Sequence, residues 1–191
     1  DLRDFTIEGD AVSTSQYGVE VSGAWGWGES SIRNMLFEGL QKSIYDHDTF
    51  AGGSGAITIA DNVFYLTTVN GIAIERDTLE GSSWSVYGNR QESPFTEMVG
   101  ATSGNKFLYM HNFIGDLTAN NNHIQSGWIA FDFSCDNGTL HTGTCGYGNN
   151  LVVTGNKIDG YANDFRLYNV SFSDFTGNRG RGTDRTLITA T

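Results

Sequence analysis

The sequence predicts an all-β solenoid, and three observations carry that reading. A unit of two short apolar runs, each alternating with period two, recurs seven times and covers essentially the whole chain. An Asn, or an apolar residue in its place, marks the same point of every copy. The composition, with 25 Gly and 1 Pro in 191 residues, belongs to an all-β chain with many tight corners.

The unit is clearest from Ile57 to Phe64, followed by Asn70 to Glu75. Leu2 to Gly9 with Gly18 to Val21 forms the first copy, and Ile32 to Gly39 with Ser43 to Asp46 the second. After the third come Trp84 to Asn89 with Glu97 to Val99, and Leu117 to Ile124 with Trp128 to Phe131. Leu151 to Ile158 with Asp164 to Leu167, and Phe175 to Asn178 with Thr186 to Thr189, complete the set. With Phe5, Met35, Asn62, Asn89, Asn122, Asn156 and Asn178 equivalent, the steps are 30, 27, 27, 33, 34 and 22 residues, a period that signals a solenoid or a propeller.

From marker to first inward residue of the second run the spacing is 9 or 10 in five copies. It is 7 from Asn122 to Ile129 and 14 from Phe5 to Val19. The length variation therefore sits in the connection to the next copy. Parallel strands stacked about 4.8 Å apart, with one corner open to insertions, account for this. A column of Asn at one corner can bond from coil to coil. The ladder is expected to run through Asn62, Asn89, Asn122 and Asn156 at the bend between the two strands, with Val86 over Ile59 and Met98 over Ile72. Propeller blades need four antiparallel strands each, and leucine-rich repeats need a helical half; neither fits these runs.

The chain reads as a single domain, residues 1–191. Neither end offers the polar cap that a solenoid needs, so a piece of a longer chain, or one continued by partner subunits, is expected. A net charge of −11 argues against nucleic acid, since no stripe of Lys and Arg is visible in the sequence. No apolar run approaches the length of a membrane span. Asp46, Asp48 and Asp77 match no known calcium loop, so neither metal nor cofactor is assigned. Cys135 and Cys145 flank a Gly- and Thr-rich loop, where a disulfide would add about 2 to 3 kcal/mol and would suit an extracellular protein; two reduced thiols are the alternative.

Alternation sorts the second runs into inward and outward positions. Inward fall Val19 and Val21, Ile44 and Asp46, Ile72 and Ile74, Met98 and Gly100, Ile129 and Phe131, Phe165 and Leu167, and Leu187 and Thr189. Asp46 is the misfit, implying a slipped register or a strand that ends at Tyr45. One outward row reads Ser22, His47, Glu75, Ala101, Asp132, Tyr168. Beside it run Glu20, Tyr45, Ala73, Val99, Ala130, Arg166, and then Gly18, Ser43, Gly71, Glu97, Trp128, Asp164.

Glu75 and Asp132, two coils apart in one row, would be about 9 to 10 Å apart, close to what an inverting glycosidase uses. The competing reading is two solvated surface acids. His47 would carry a proton, and Glu97 and Asp77 are substitutes if the register shifts. Trp128, Tyr168, Trp25 and Trp27, the last two in the first inter-coil insertion, are candidate platforms for sugar rings, with Arg166 in the same strip. Trp84 is read as core. Arg179 and Arg181 with Arg185 suit either an acidic sugar or a solvated corner.

The seven-fold pattern with its Asn corner resembles the single-stranded right-handed parallel β-helix of the pectate lyase-like superfamily. Ile32 to Phe37 and Ile59 to Phe64 resemble coils of phage tailspike proteins. That resemblance implies a right-handed parallel β-helix of about seven coils with an Asn ladder. It further implies a homotrimer, extracellular or on a virion surface, that binds and cleaves bacterial surface polysaccharide. No catalytic motif of the family is evident, neither the Arg and Asp arrangement of calcium-dependent pectate lyases nor the paired Asp of polygalacturonases. The expected function is hydrolysis of that polysaccharide by Glu75 and Asp132. The alternatives are a non-catalytic adhesin or appendage protein, and a polysaccharide lyase with His47 or Tyr168 as base.

Overall fold

The computed structural model describes residues 1–10, 16–22, 28–47, 55–65, 70–80, 83–92, 106–113, 115–134, 150–168, 173–181 and 186–190. These form a parallel β-helix. Coil 1 holds β1 (Leu2–Arg3), β2 (Thr6–Glu8) and β3 (Tyr17–Val21), and coil 2 holds β4 (Ser30–Arg33), β5 (Leu36–Glu38) and β6 (Lys42–Asp46). Coil 3 holds β7 (Ala56–Ala60), β8 (Val63–Tyr65) and β9 (Asn70–Glu80), and coil 4 holds β10 (Ser83–Tyr87), β11 (Arg90–Glu92) and β12 (Lys106–Phe113). In coil 5, β13 (Asp116–Asn120) leads into β14 (His123–Ser134), and in coil 6, β15 (Asn150–Thr154) leads into β16 (Lys157–Tyr168). Coil 7 closes with β17 (Ser173–Thr176), β18 (Arg179–Arg181) and β19 (Thr186–Ala190).

Each coil therefore presents three faces where the sequence suggested two strands. The first face stacks β1, β4, β7, β10, β13, β15 and β17, every neighbour parallel. On the second face lie β2, β5, β8, β11 and the first halves of β14 and β16, followed by β18. The third carries β3, β6, β9, β12, the second halves of β14 and β16, and β19. Among the described residues there is no helix long and apolar enough to cross a membrane.

A two-residue corner joins the first face to the second, and its chemistry repeats in all seven coils. The residue before each marker has φ between 53° and 67°: Asp4, Asn34, Asp61, Gly88, Asn121, Gly155 and Gly177. Only Gly enters this left-handed region freely, and Asn and Asp enter it more readily than other residues. A Cβ on Gly88 would also press against the Asp61 carboxylate of the preceding coil.

The marker itself turns inward. Asn62, Asn89, Asn122 and Asn156 are buried and form one ladder. Asn62 Nδ2 donates to Asn89 Oδ1 at 2.9 Å, Asn89 to Asn122 at 3.1 Å, Asn122 to Asn156 at 2.9 Å, and Asn156 to Asn178 at 2.8 Å. Each Oδ1 also accepts the backbone N–H of the preceding marker. Each amide caps a strand carbonyl as well, those of Ile32, Ile59, Val86, Ala119 and Val153. The bend thus spends no buried polar group unpaired, which is what lets a corner sit inside the core.

Stacked apolar rows fill the interior. Val86 does lie over Ile59, and the row continues through Ala119 and Val153. On the third face Val19, Ile44, Ile72, Leu108, Phe131, Phe165 and Ile188 are in register. Leu108, not Met98, is therefore the neighbour of Ile72. Six rings cross the core from coil to coil: Phe37 to Phe64 (5.3 Å between centroids), Phe107 (6.0 Å), Phe131 (5.8 Å), Phe165 (5.3 Å) and Phe175 (5.2 Å). Asp46 is inward and buried, in register with Val21 and Ile74 and with a partner of its own, so neither a slip nor an early strand end occurs there. Trp84 is core, as expected.

Candidate functional site on the third face

The outer side of the third face gathers most of the described residues singled out from the sequence. Its central row runs Glu20, Tyr45, Ala73, Tyr109, Asp132, Arg166, Thr189. The next row outward along the strands contains Glu75, His111, Ser134 and Tyr168. His47 follows Asp46, the register partner of Ile74, and so stands beside Glu75.

Two clusters occupy this surface. In the first, His47 Nε2 lies 2.8 Å from Glu20 Oε1, and the His47 ring stacks on Tyr45 at 4.3 Å between centroids. Tyr17 leans on Tyr45 at 4.9 Å, and the Lys42 ammonium sits 3.5 Å from the Tyr45 ring centroid while donating to Glu75 Oε1 at 2.6 Å. A cation held against an aromatic face and a carboxylate at once has few free rotamers.

Asp132 centres the second cluster. Arg166 embraces it with both ends of the guanidinium, Nε to Oδ1 at 2.8 Å and Nη2 to Oδ2, and Lys106 Nζ approaches Oδ2 to 2.8 Å. Lys106 in turn lies 3.6 Å from the Tyr109 ring centroid, and Tyr109 stacks on His111 at 6.1 Å. Three coils contribute one charged group each, so the cluster exists only when coils 4, 5 and 6 are stacked.

This geometry revises the pairing of Glu75 with Asp132. Their rows differ, because Asp132 pairs with Tyr109 and Glu75 with His111. Two coils of ladder and two residues of strand separate them, about 12 Å between Cα atoms. Asp132 has no exposed side-chain surface, and both of its oxygens are engaged by cations. Glu75 keeps 30% of its side chain exposed and its row neighbour is His111. The row order expected from the sequence sets Glu97 beside Gly71. That place belongs to Phe107, since β12 is the strand that pairs with both β9 and β14. Glu97, Trp25, Trp27, Cys135 and Cys145 lie outside the described residues, and the side chains of Asp77, Trp128 and Tyr168 do too. Arg166 is in the strip, 47% exposed, with Asp132 behind it.

Lys106, Tyr109 and His111 escaped sequence reasoning because they lie in the long connection between Val99 of the fourth copy and Leu117 of the fifth. The marker spacing held the signal for coil 5: Asn122 to Phe131 is 9 residues, the same as in the regular copies, and that choice restores the register. Among the described residues no group of three or more His, Cys, Asp or Glu is placed to hold a metal ion.

Burial pushes the Lys106 ammonium below the ordinary lysine range, and the attraction of Asp132 offsets this only in part. Between its folded and unfolded pKa values the unfolded chain binds more protons. The group therefore makes stability rise as pH climbs toward the unfolded lysine value. NMR of ¹³C-methylated lysines should show one amine titrating below the rest and missing in Lys106→Gln; a single cluster of ordinary lysine titrations would overturn this.

Comparison of the chain with protein-family models, curated proteins and solved structures gives no match.

Proposed function

We propose that this chain is a tailspike-type β-helix that binds a bacterial surface polysaccharide along the outer side of its third face. The observation that supports the reading best is the strip Tyr17, Lys42, Tyr45, Glu75, Tyr109, Arg166, to which coils 1 to 4 and coil 6 contribute. Aromatic rings and fixed hydrogen-bonding groups alternate along it. Sugar rings present an apolar C–H side and a hydroxylated edge, and a surface built in this way meets both. The strip follows the solenoid axis, so an extended polymer can meet both kinds of group over several coils.

Hydrolysis of the bound glycan is the second reading, favoured by the part-exposed Glu75, tethered by Lys42, with His111 as its neighbour on the adjacent coil. Glu75 would activate water while His111 donates to the leaving oxygen. An extracellular or virion-surface setting and a homotrimer accompany the tailspike reading.

Affinity electrophoresis through gels containing a panel of bacterial capsular and exopolysaccharides tests the binding. At least one polymer should retard the protein, and Tyr45→Ala with Tyr109→Ala should weaken that retardation tenfold or more. A protein that runs freely through every gel, or variants that bind unchanged, would dismiss the site. Reducing ends released without the ultraviolet absorbance of an unsaturated uronate, and lost in Glu75→Gln, would mark hydrolysis.

A further inference from the structure

A second charged feature lies on the second face and owes nothing to the third. The outward row there reads Leu36, Val63, Arg90, His123, Lys157, Arg179. Its early positions are apolar and its last four basic. Register places Arg181 on the neighbouring row beside Asp159. Four of the chain's 11 Lys and Arg thus stand on one end of one face of a molecule whose net charge is −11.

Like charges directly opposed on neighbouring strands oppose folding, so this row is not explained by stability. Two acids offset it partly. Glu92 pairs with Arg90, and Asp159 lies 3.1 Å from Lys157 Nζ and 3.5 Å from His123 Nε2. Burial tends to raise the Asp159 carboxyl, but Lys157 and then His123 outweigh it and hold it below the usual range. Among the described residues Arg179 and Arg181 form no ion pair, and Arg90, Lys157, Arg179 and Arg181 are all exposed. The two uncompensated charges are those of Arg179 and Arg181 on β18, at one end of a comb-like row whose positions are about 4.8 Å apart and span about 14 Å.

We propose that this comb is a second binding site, taking the carboxylate or sulfate groups of an acidic polysaccharide laid along the solenoid axis. Arg90, Lys157 and Arg179 stand along one row with Arg181 beside it, which suits a polymer that carries anions along its length, and guanidinium forks suit planar carboxylates. Nucleic acid fits less well, because its affinity comes largely from counterion release and two uncompensated cations release few counterions.

Affinity electrophoresis at low ionic strength, with alginate, dextran sulfate and uncharged dextran in the gel, tests this. The wild type should be retarded by alginate or dextran sulfate and not by dextran, and the retardation should fade with added salt. Replacing Arg90, Lys157, Arg179 and Arg181 by Gln should weaken it tenfold or more. Arg179→Glu with Arg181→Glu, confined to exposed positions of coil 7, should do the same if the fourfold variant folds poorly. Thr118→Ala, on the outer side of the first face and away from both sites, should leave it unchanged. No retardation by either acidic polymer, equal retardation of the variants, or tighter binding of single-stranded DNA than of both would overturn the proposal.

Discussion

Phe131→Ala is expected to lower folding stability by about 3 to 5 kcal/mol, the range for deleting a buried Phe. The ring has no exposed surface. It stacks on Phe165 at 5.3 Å, meets Phe107 edge-on at 5.8 Å and lies 6.1 Å from Phe133. Part of the loss is the transfer of the ring out of water, and part is the cavity left behind. Collapse of that cavity is opposed by three sheets whose strand spacing is fixed by their hydrogen bonds, so the upper end of the range applies. Coils touch only their neighbours, so weakened contact across coil 5 also reduces coupling between the two halves. Urea unfolding followed by near- and far-ultraviolet dichroism should show a lower midpoint. Phe175→Ala, at a half-buried ring, should cost clearly less. A loss below about 1 kcal/mol for Phe131→Ala would mean that the ring is not packed as described.

How legible this molecule was depends on how far each inference had to reach along the chain. The Asn corner needed only local chemistry, and Asn62, Asn89, Asn122 and Asn156 fall in one column as the sequence implied. Face count was harder. A corner of one left-handed residue and one inward Asn is so short that Ile57 to Phe64 reads as a single run, although it turns at Asp61 and Asn62 between β7 and β8. The preceding Asp, Asn or Gly in all seven copies was the available sign, because that left-handed corner favours those residues.

The site was legible in kind and not in register. Glu20, Tyr45, His47, Glu75 and Arg166 were placed outward by alternation, and outward they are. The relative rows failed at coils 4 and 5, where long connections hide which residue meets which. Shifting Asp132 by two positions removes it from Glu75's row and sets it between Lys106 and Arg166. The basic comb was hidden for a similar reason. Arg90, His123, Lys157 and Arg179 are far apart in sequence and become neighbours only when each coil is aligned by its Asn marker, each lying one residue after it.

Substitution of Asn122 offers the sharpest test of the ladder, because alanine and aspartate fail there for different reasons. Asn122→Ala withdraws the acceptor from the Asn89 N–H, now at 3.0 Å, and the donor from the Val86 carbonyl at 3.1 Å. Asn89 Nδ2 keeps Ile59 O, and Asn156 Oδ1 keeps the Asn122 N–H. Buried groups without partners cost roughly 1 to 3 kcal/mol each, so a loss of about 2 to 4 kcal/mol is expected. Asn122→Asp preserves shape and the acceptor for Asn89. It turns its second oxygen toward Val86 O and Asn156 Oδ1, acceptor against acceptor, and it buries a charge. Aspartate should therefore destabilise at least as much as alanine at neutral pH, a result that packing alone would not produce. Asn178→Ala, at the half-buried end rung, should lose less because water can reach the groups it uncovers. Chemical denaturation of the three variants decides the matter. If Asn122→Asp unfolds with the wild type, or Asn178→Ala costs as much as Asn122→Ala, the corner is held by packing and not by the chain of amides.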